Sequence, residues 1–430
     1  MKIVSYPTKE ELSELVKRSS VKDPTLASTV RSVLARVRQE GDKALLALEQ
    51  QFDAPLLTDI VVTSAEMEAA SAKVDDSLKK AIQTAKRNIE LFHRSQKLVV
   101  NPVETTPGVV CWQQQVAIQS VGLYIPGGTA PLFSTVLMLG IPATIAGCKE
   151  IVLCTPPNKD GSIHPTILYA ASLVGITKIF KAGGAQAIAA MSYGTASVPK
   201  VHKIFGPGNQ YVMEAKMQVS LDGLAIDMPA GPSEVLVVAD ESASPIFIAA
   251  DLLSQAEHGK DSQAILVTTS PQLVEEVAAE VEQQLAQLPR QEIAQFSIAN
   301  SSILLVHTLD EAVAFVNAYA PEHLLLQTKN YREVATQIVN AGSVFLGMYA
   351  PESAGDYASG TNHTLPTHGY AKAYSGVNLD SFMKKITYQE ITTDGIRSLG
   401  PTIEEMALNE ELYAHKNAVT VRLDYLQKKK

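Results

Sequence analysis

The chain has 430 residues, 46% of them hydrophobic and 19% charged, enough apolar material for large cores and for two or three domains. Its formal charge of −9, with a dense basic run only at Lys428, Lys429 and Lys430, excludes the electrostatic footprint of a nucleic-acid binder. Neither the opening MKIVSYPTKEEL nor any later run reads as a secretory signal or a membrane span, so no membrane partner and a cytoplasmic location are expected; Cys111, Cys148 and Cys154 cannot all pair and are expected to be reduced.

Residues 1–105 read as a helical N-terminal region that packs on the rest. Val30, Val33, Leu34 and Val37 stand at core-facing spacing, Gly41 stops that helix, and a second begins at Asp42. Thr63 with Glu66 fits a capping box, followed by the apolar stripe Leu78, Ile82, Ala85, Ile89 and Phe92. From about 108 the pattern becomes short β-rich runs separated by helices: 116–125, 151–155, 178–181, 234–239, 264–268, 303–306 and 344–346. This alternation predicts an α/β protein with parallel sheets and helices on both faces, in two arrays, 106–232 and 233–370. The segment 371–430 leaves that pattern. It holds a predicted helix from Thr402 to about His415, then VTVRLDYL and the lysines.

Three strand-to-helix junctions are glycine-rich: IPGG (125–128), AGGAQ (182–186) and FGPGN (205–209). Glycine permits close backbone approach, and a helix N-terminus favours an anion such as a pyrophosphate; ordinary tight turns are the alternative for each alone. In DLLSQAEHG, Gln255 and His258 share one helix face at a spacing that can present two ligands to a metal, or simply two solvated or capping groups. PEHLL places Glu322 and His323 at the edge of an apolar strand, where burial brings a carboxylate and an imidazole toward neutral pKa values; a surface turn is the alternative. GDYASGTNHTLPT (355–367) displays Asp356 and His363 on a polar loop. Near the C-terminus Glu411 and His415 are spaced as a helix surface pair, with Glu410 turned off that face.

Taken in order, VGLYIPGG, GGAQAIAA, FGPGNQYV, DMPAGPSEVLV, DLLSQAEHG, PEHLL, GDYASGTNHTLPT and AHKNAV resemble the histidinol dehydrogenase family over residues 20–425. The resemblance implies two incomplete Rossmann-like domains, the first on the NAD side and the second on the substrate and zinc side. It also implies a homodimer whose C-terminal tail crosses the interface. It implies an NAD-dependent, zinc-assisted oxidation of L-histidinol through histidinaldehyde to L-histidine, the last step of histidine biosynthesis. Carried over residue by residue, one Zn²⁺ per subunit is bound by Gln255, His258, Asp356 and His415, and Glu322 and His323 are the acid–base residues. Ser233, Glu410, His363, His323 and the zinc ligands surround the substrate, and Tyr124, Gln186 and Asn209 contact NAD. On residue types alone, a zinc hydrolase would use the same His, Asp and Glu groups around an activated water, and a catalytically silent NAD-binding protein would keep the crevice.

Overall fold

A computed structural model describes residues 1–18, 24–54, 57–127 and 130–428. Gly128 of the first glycine junction, Lys429 and Lys430 lie outside the described residues. In chain order, strand β1 (Lys2–Ser5) precedes five helices, Lys9–Leu15, Leu26–Glu40, Asp42–Phe52, Ser64–Ala72 and Asp76–Arg94. Strands β2 (Val103–Thr106), β3 (Val109–Ala117) and β4 (Ser120–Tyr124) follow, then β5 (Glu150–Thr155), β6 (Lys178–Lys181), β7 (Lys203–Phe205) and β8 (Ala225–Ile226). The second array contains β9 (Glu234–Ala239), β10 (Gln263–Thr268), β11 (Ser302–Leu305), β12 (His323–Gln327) and β13 (Ser343–Leu346), and β14 (Met383–Ile391) comes last.

The described chain forms two units, Met1–Gln96 with Ile118–Phe382, and Lys97–Ala117 with Met383–Lys430. The first unit holds two parallel sheets. One has the order β6-β5-β4-β7-β8 and the other β1-β11-β10-β9-β12-β13. Counted within its own array, each runs 3-2-1-4-5, the doubly wound order without its sixth strand, so the two arrays expected from the sequence repeat one topology. Strands β4, β9 and β12 are buried at every residue, which is why they read as unbroken apolar runs without alternation.

The four N-terminal helices after Lys9–Leu15 cover both faces of the first sheet, whereas Leu12 and Leu15 pack on a core of the second. Val30, Leu34, Val37, Leu45 and Leu48 join one core cluster, and Ile82, Ala85 and Ile89 join the other. Full burial of an isoleucine such as Ile82 or Ile89 contributes roughly 1.5–3 kcal/mol, so the amphipathic stripe explains the docking of Asp76–Arg94. The stop at Gly41 and the capping box at Thr63 and Glu66 are both present. The N-terminal region is not wholly helical: β1 adds a parallel edge strand beside β11, in the second sheet.

The second unit contains an antiparallel sheet, β14-β3-β2, and the helices Thr393–Asn409 and Tyr413–Lys428. The run expected over 116–125 is therefore divided between β3 and β4. The helix expected from Thr402 to about His415 is two helices, broken at Glu410, with Glu411 at φ 58°. VTVRLDYL is helical despite its β-branched residues. A side chain at Gly400 would lie 3.0 Å from Leu423 and 3.2 Å from Val419, so glycine there lets the two helices pack closely.

Candidate active site

Helix Leu309–Tyr319 ends at Ala320 in the left-handed conformation, and Pro321 leads into β12. Glu322 and His323 thus stand at the amino end of a central strand, 6% and 3% exposed. Parallel α/β sheets usually display their chemistry at the carboxyl ends of strands; this group is at the opposite edge. The backbone of Glu234, first residue of β9, holds both side chains. Its N–H donates to Glu322 Oε2 at 2.8 Å, and its carbonyl lies 3.2 Å from His323 Nδ1. With Nδ1–H donating to that carbonyl, Nε2 is the position at which a proton comes and goes. Nε2 is buried without a hydrogen-bond partner, 3.4 Å from Asp356 Oδ1. Burial pushes Glu322 up to about 8, partly opposed by His323. Burial alone would push His323 down, but Glu322, Glu352 and Asp356 outweigh it and carry the imidazole up to about 10.

His258, Glu352 and Asp356 each offer a ligand atom, and these atoms all lie within 4.8 Å of one another. His258 follows helix Pro245–Ala256, on which Gln255 is 1% exposed; Glu352 and Asp356 are one turn apart on the short helix Glu352–Tyr357 after β13. The oxygen and nitrogen of the Gln255 amide can be placed in either of two ways. In one, Nε2 lies 3.5 Å from Glu322 Oε2 but also faces the Glu234 N–H, donor against donor, and the amide oxygen faces the Glu352 carboxylate, acceptor against acceptor. In the other, Nε2 donates to Glu352 and the oxygen accepts from Glu234 N–H at 3.2 Å. The first is the arrangement a cation between the oxygens would stabilise. Together with the partnerless Asp356 Oδ1 and His323 Nε2, it makes this donor set, mostly oxygen with one imidazole, fit a divalent metal such as zinc. Burial opposes the charge on Asp356, yet its carboxyl is held below the ordinary value by His323 and the neighbouring histidines.

Around this group, Ser233 immediately precedes β9, half-buried. His363 Nδ1 lies 2.9 Å from the Asp356 carbonyl and its Nε2 lies 3.1 Å from Thr135 Oγ1. The sequence reading passed over Glu352 and Arg18. The i, i+4 spacing of Glu352 and Asp356 in PESAGDY was a signal for the first. Arg18 lies in the region read as packing, 216 residues from Glu234, yet its Nε and Nη2 reach the Glu234 carboxylate at 2.6 and 2.8 Å; Nη2 also donates to the Tyr319 carbonyl. Its guanidinium lies 3.8 Å from the centre of the Tyr319 ring.

At the carboxyl edge of the first sheet, Tyr124 ends β4, Gly183 and Gly184 follow β6, and FGPGN follows β7, across the point where the strand order reverses. Tyr124 and Gln186 are buried, whereas Asn209 is exposed and caps helix Gln210–Leu221 through Tyr211 and Val212 N–H. Gly206, at φ 131°, packs so closely on the Tyr124 carbonyl that no side chain fits. The N–H groups of Gly183 and Gly184, read from the sequence as an anion cradle, donate to Glu49 Oε1 at 2.8 Å and to the Tyr124 hydroxyl at 3.1 Å.

Glu410 and His415 belong to the second unit. Glu410 caps helix Thr393–Asn409 and His415 lies in the first turn of Tyr413–Lys428; both are exposed, and the helix ends between them. The cysteines are free, with Cys154 buried. No described helix is long and apolar enough to cross a membrane.

A family model described as histidinol dehydrogenase matches residues 16–423. Histidinol dehydrogenase of Bacteroides thetaiotaomicron is 65% identical over 427 residues, covering 99% of this chain and 100% of that protein. That of Yersinia pestis is 55% identical over 422 residues, covering 97% and 94%. The crystal structure of histidinol dehydrogenase from Elizabethkingia anophelis matches with a TM-score of 0.97 at 55% identity, covering 99% of each chain.

Proposed function

The chain belongs to the histidinol dehydrogenase family, and on that premise we propose how its residues divide the work. The reaction is the NAD-linked, zinc-dependent oxidation of L-histidinol through histidinaldehyde to L-histidine, a four-electron change that consumes two NAD. Redox chemistry of this kind replaces the hydrolase and silent-binder readings.

The single observation that carries the assignment is the clamp on His323: Nδ1 against the Glu234 carbonyl, Nε2 buried without a hydrogen-bond partner, and Glu322 beside it. His323 Nε2 takes the hydroxyl proton of the alcohol, and later that of the hydrated aldehyde, as each hydride leaves for nicotinamide. Glu322, held by the Glu234 N–H, activates the water that adds to the aldehyde. Gln255, His258 and Asp356 would hold the zinc; the ligand atoms of His258 and Asp356 cluster with that of Glu352. Bound zinc supplies a fixed positive charge that anchors neutral nitrogen donors of the substrate and offsets the carboxylates that favour the His323 imidazolium. Ser233 and His363 line the substrate, and Tyr124, Gln186 and Asn209 contact NAD. In this division residues 106–232 serve the cofactor and 233–370 the substrate and metal.

The remaining zinc ligand, the partner's His415, and a substrate contact, the partner's Glu410, come from the tail 371–430 across a homodimer. Supporting this, the second unit is small and exposes the apolar side chains Met406, Leu412, Tyr413 and Val421, which a partner subunit would cover. The protein works in the cytoplasm in this reading. Single-turnover kinetics test the roles: Glu322→Gln should slow the step from aldehyde more than the step from alcohol, whereas His323→Ala should slow both. Equal slowing of both steps by Glu322→Gln would show the roles to be misassigned.

A further inference from the structure

Glu49, on helix Asp42–Phe52, is fully buried and takes no part in the chemistry above. One oxygen, Oε1, accepts from Gly183 N–H and from Gln186 Nε2, both at 2.8 Å. Oε2 is buried with no hydrogen-bond partner, and Asp53, one turn further along, adds to the effect of burial in raising the Glu49 carboxyl.

The consequence falls on Gln186. A buried primary amide can be turned end for end at almost no steric cost, so only hydrogen bonds decide whether oxygen or NH₂ faces a ligand. Because Glu49 Oε1 accepts, Nε2 is held toward it. The Gln186 oxygen then lies over the glycine turn, 2.9 Å from where a side chain on Gly184 would begin. The Tyr124 hydroxyl meets the same turn through Gly184 N–H.

We propose that Glu49 is a positioning residue for NAD: it fixes the Gln186 amide so that an acceptor oxygen faces the cofactor. The group received there is a hydrogen-bond donor, a ribose hydroxyl or an amide nitrogen, and not a phosphate oxygen. The proposal rests on reading Gln186 as a cofactor contact, and the test separates the two.

In the zinc-loaded enzyme, Glu49→Met keeps the volume and removes the acceptor. KM for NAD should rise about tenfold, the effect of one misdirected hydrogen bond, with KM for L-histidinol and kcat nearly unchanged. Glu49→Gln, whose amide oxygen can still accept, should restore NAD binding. In a Gln186→Ala background, Glu49→Met should have no further effect on NAD. If Gln186→Ala leaves KM for NAD unchanged, the cofactor reading and this proposal both fall. If Gln186→Ala raises it and a folded Glu49→Met does not, the proposal alone falls. Equal damage to both KM values and kcat in Glu49→Met would reduce Glu49 to a structural role and overturn it. Should Glu49→Met fail to fold, Glu49→Gln still decides: a folded Glu49→Gln enzyme with about tenfold weaker NAD binding contradicts the proposal, and normal binding agrees with it.

Discussion

Replacing Arg18 by methionine would test how far the acid–base pair depends on a residue from the opposite end of the chain. The substitution keeps an unbranched side chain near Tyr319 and removes the guanidinium from Glu234. The pair it breaks is buried, with side chains 10% and 3% exposed and two contacts at 2.6 and 2.8 Å. Removing one partner of such a pair costs about 3–5 kcal/mol, because the other charge is left uncompensated. Loss of the cation–π contact with Tyr319 at 3.8 Å places the expected cost toward the upper end of that range. The effect should reach the chemistry, since the Glu234 backbone holds Glu322 and His323. Native-state hydrogen exchange read on β9 and β12 amides, together with kcat, measures both consequences. Adding Glu234→Gln should recover part of the lost stability, because the buried charge is then gone. A loss below about 1 kcal/mol with unchanged kcat, or a double variant no better than Arg18→Met, would refute the reasoning.

Chelation should abolish turnover yet leave cooperative unfolding, because the ligands come from helix ends around cores that are already built; His258→Asn and Asp356→Ala should each lower zinc content in metal analysis. Mixing His258→Asn with His415→Asn protein under subunit exchange should restore roughly half the wild-type activity per heterodimer, and no recovery after exchange confirmed by mass would place each site within one chain. Burial raises the Glu49 carboxyl to about 8 in the folded chain from an ordinary 4.5. The stability it contributes is therefore full below about 4.5 and is lost as pH rises through about 8. Glu49→Gln should accordingly gain stability relative to wild type as pH rises from 5 to 8 in denaturant titrations, and a constant or opposite difference would contradict the assignment.

The sequence was most legible where structure is local. The two sheets announced themselves as short β-rich runs alternating with helices, and Gly41 and the Thr63–Glu66 box marked helix ends as expected. The pairing of β3 with β14 joins residues more than 250 positions apart and left no periodic trace. VTVRLDYL was left without a structural reading, since its β-branched residues give little intrinsic helix signal and its packing of Val419 and Leu423 on Gly400 is a tertiary contact. In the site, residues close in sequence or carried by a motif were visible: Glu322 with His323, and Gln255 with His258. Arg18, Glu49 and the hub at Glu234 were not, since each acts through a partner that only the fold brings near. The Gly183–Gly184 turn was recognised as special, but which acceptors its N–H groups meet could not be read from glycine alone.

The central claim is that one site, built around His323 and Glu322, carries out both oxidations. The direct measurement is the ratio of NADH to histidine formed from L-histidinol by the zinc-loaded protein, with an aldehyde trap present in the solution. The account predicts two NADH for each histidine and no trapped aldehyde. One NADH per L-histidinol consumed, with the aldehyde captured by the trap, would contradict it.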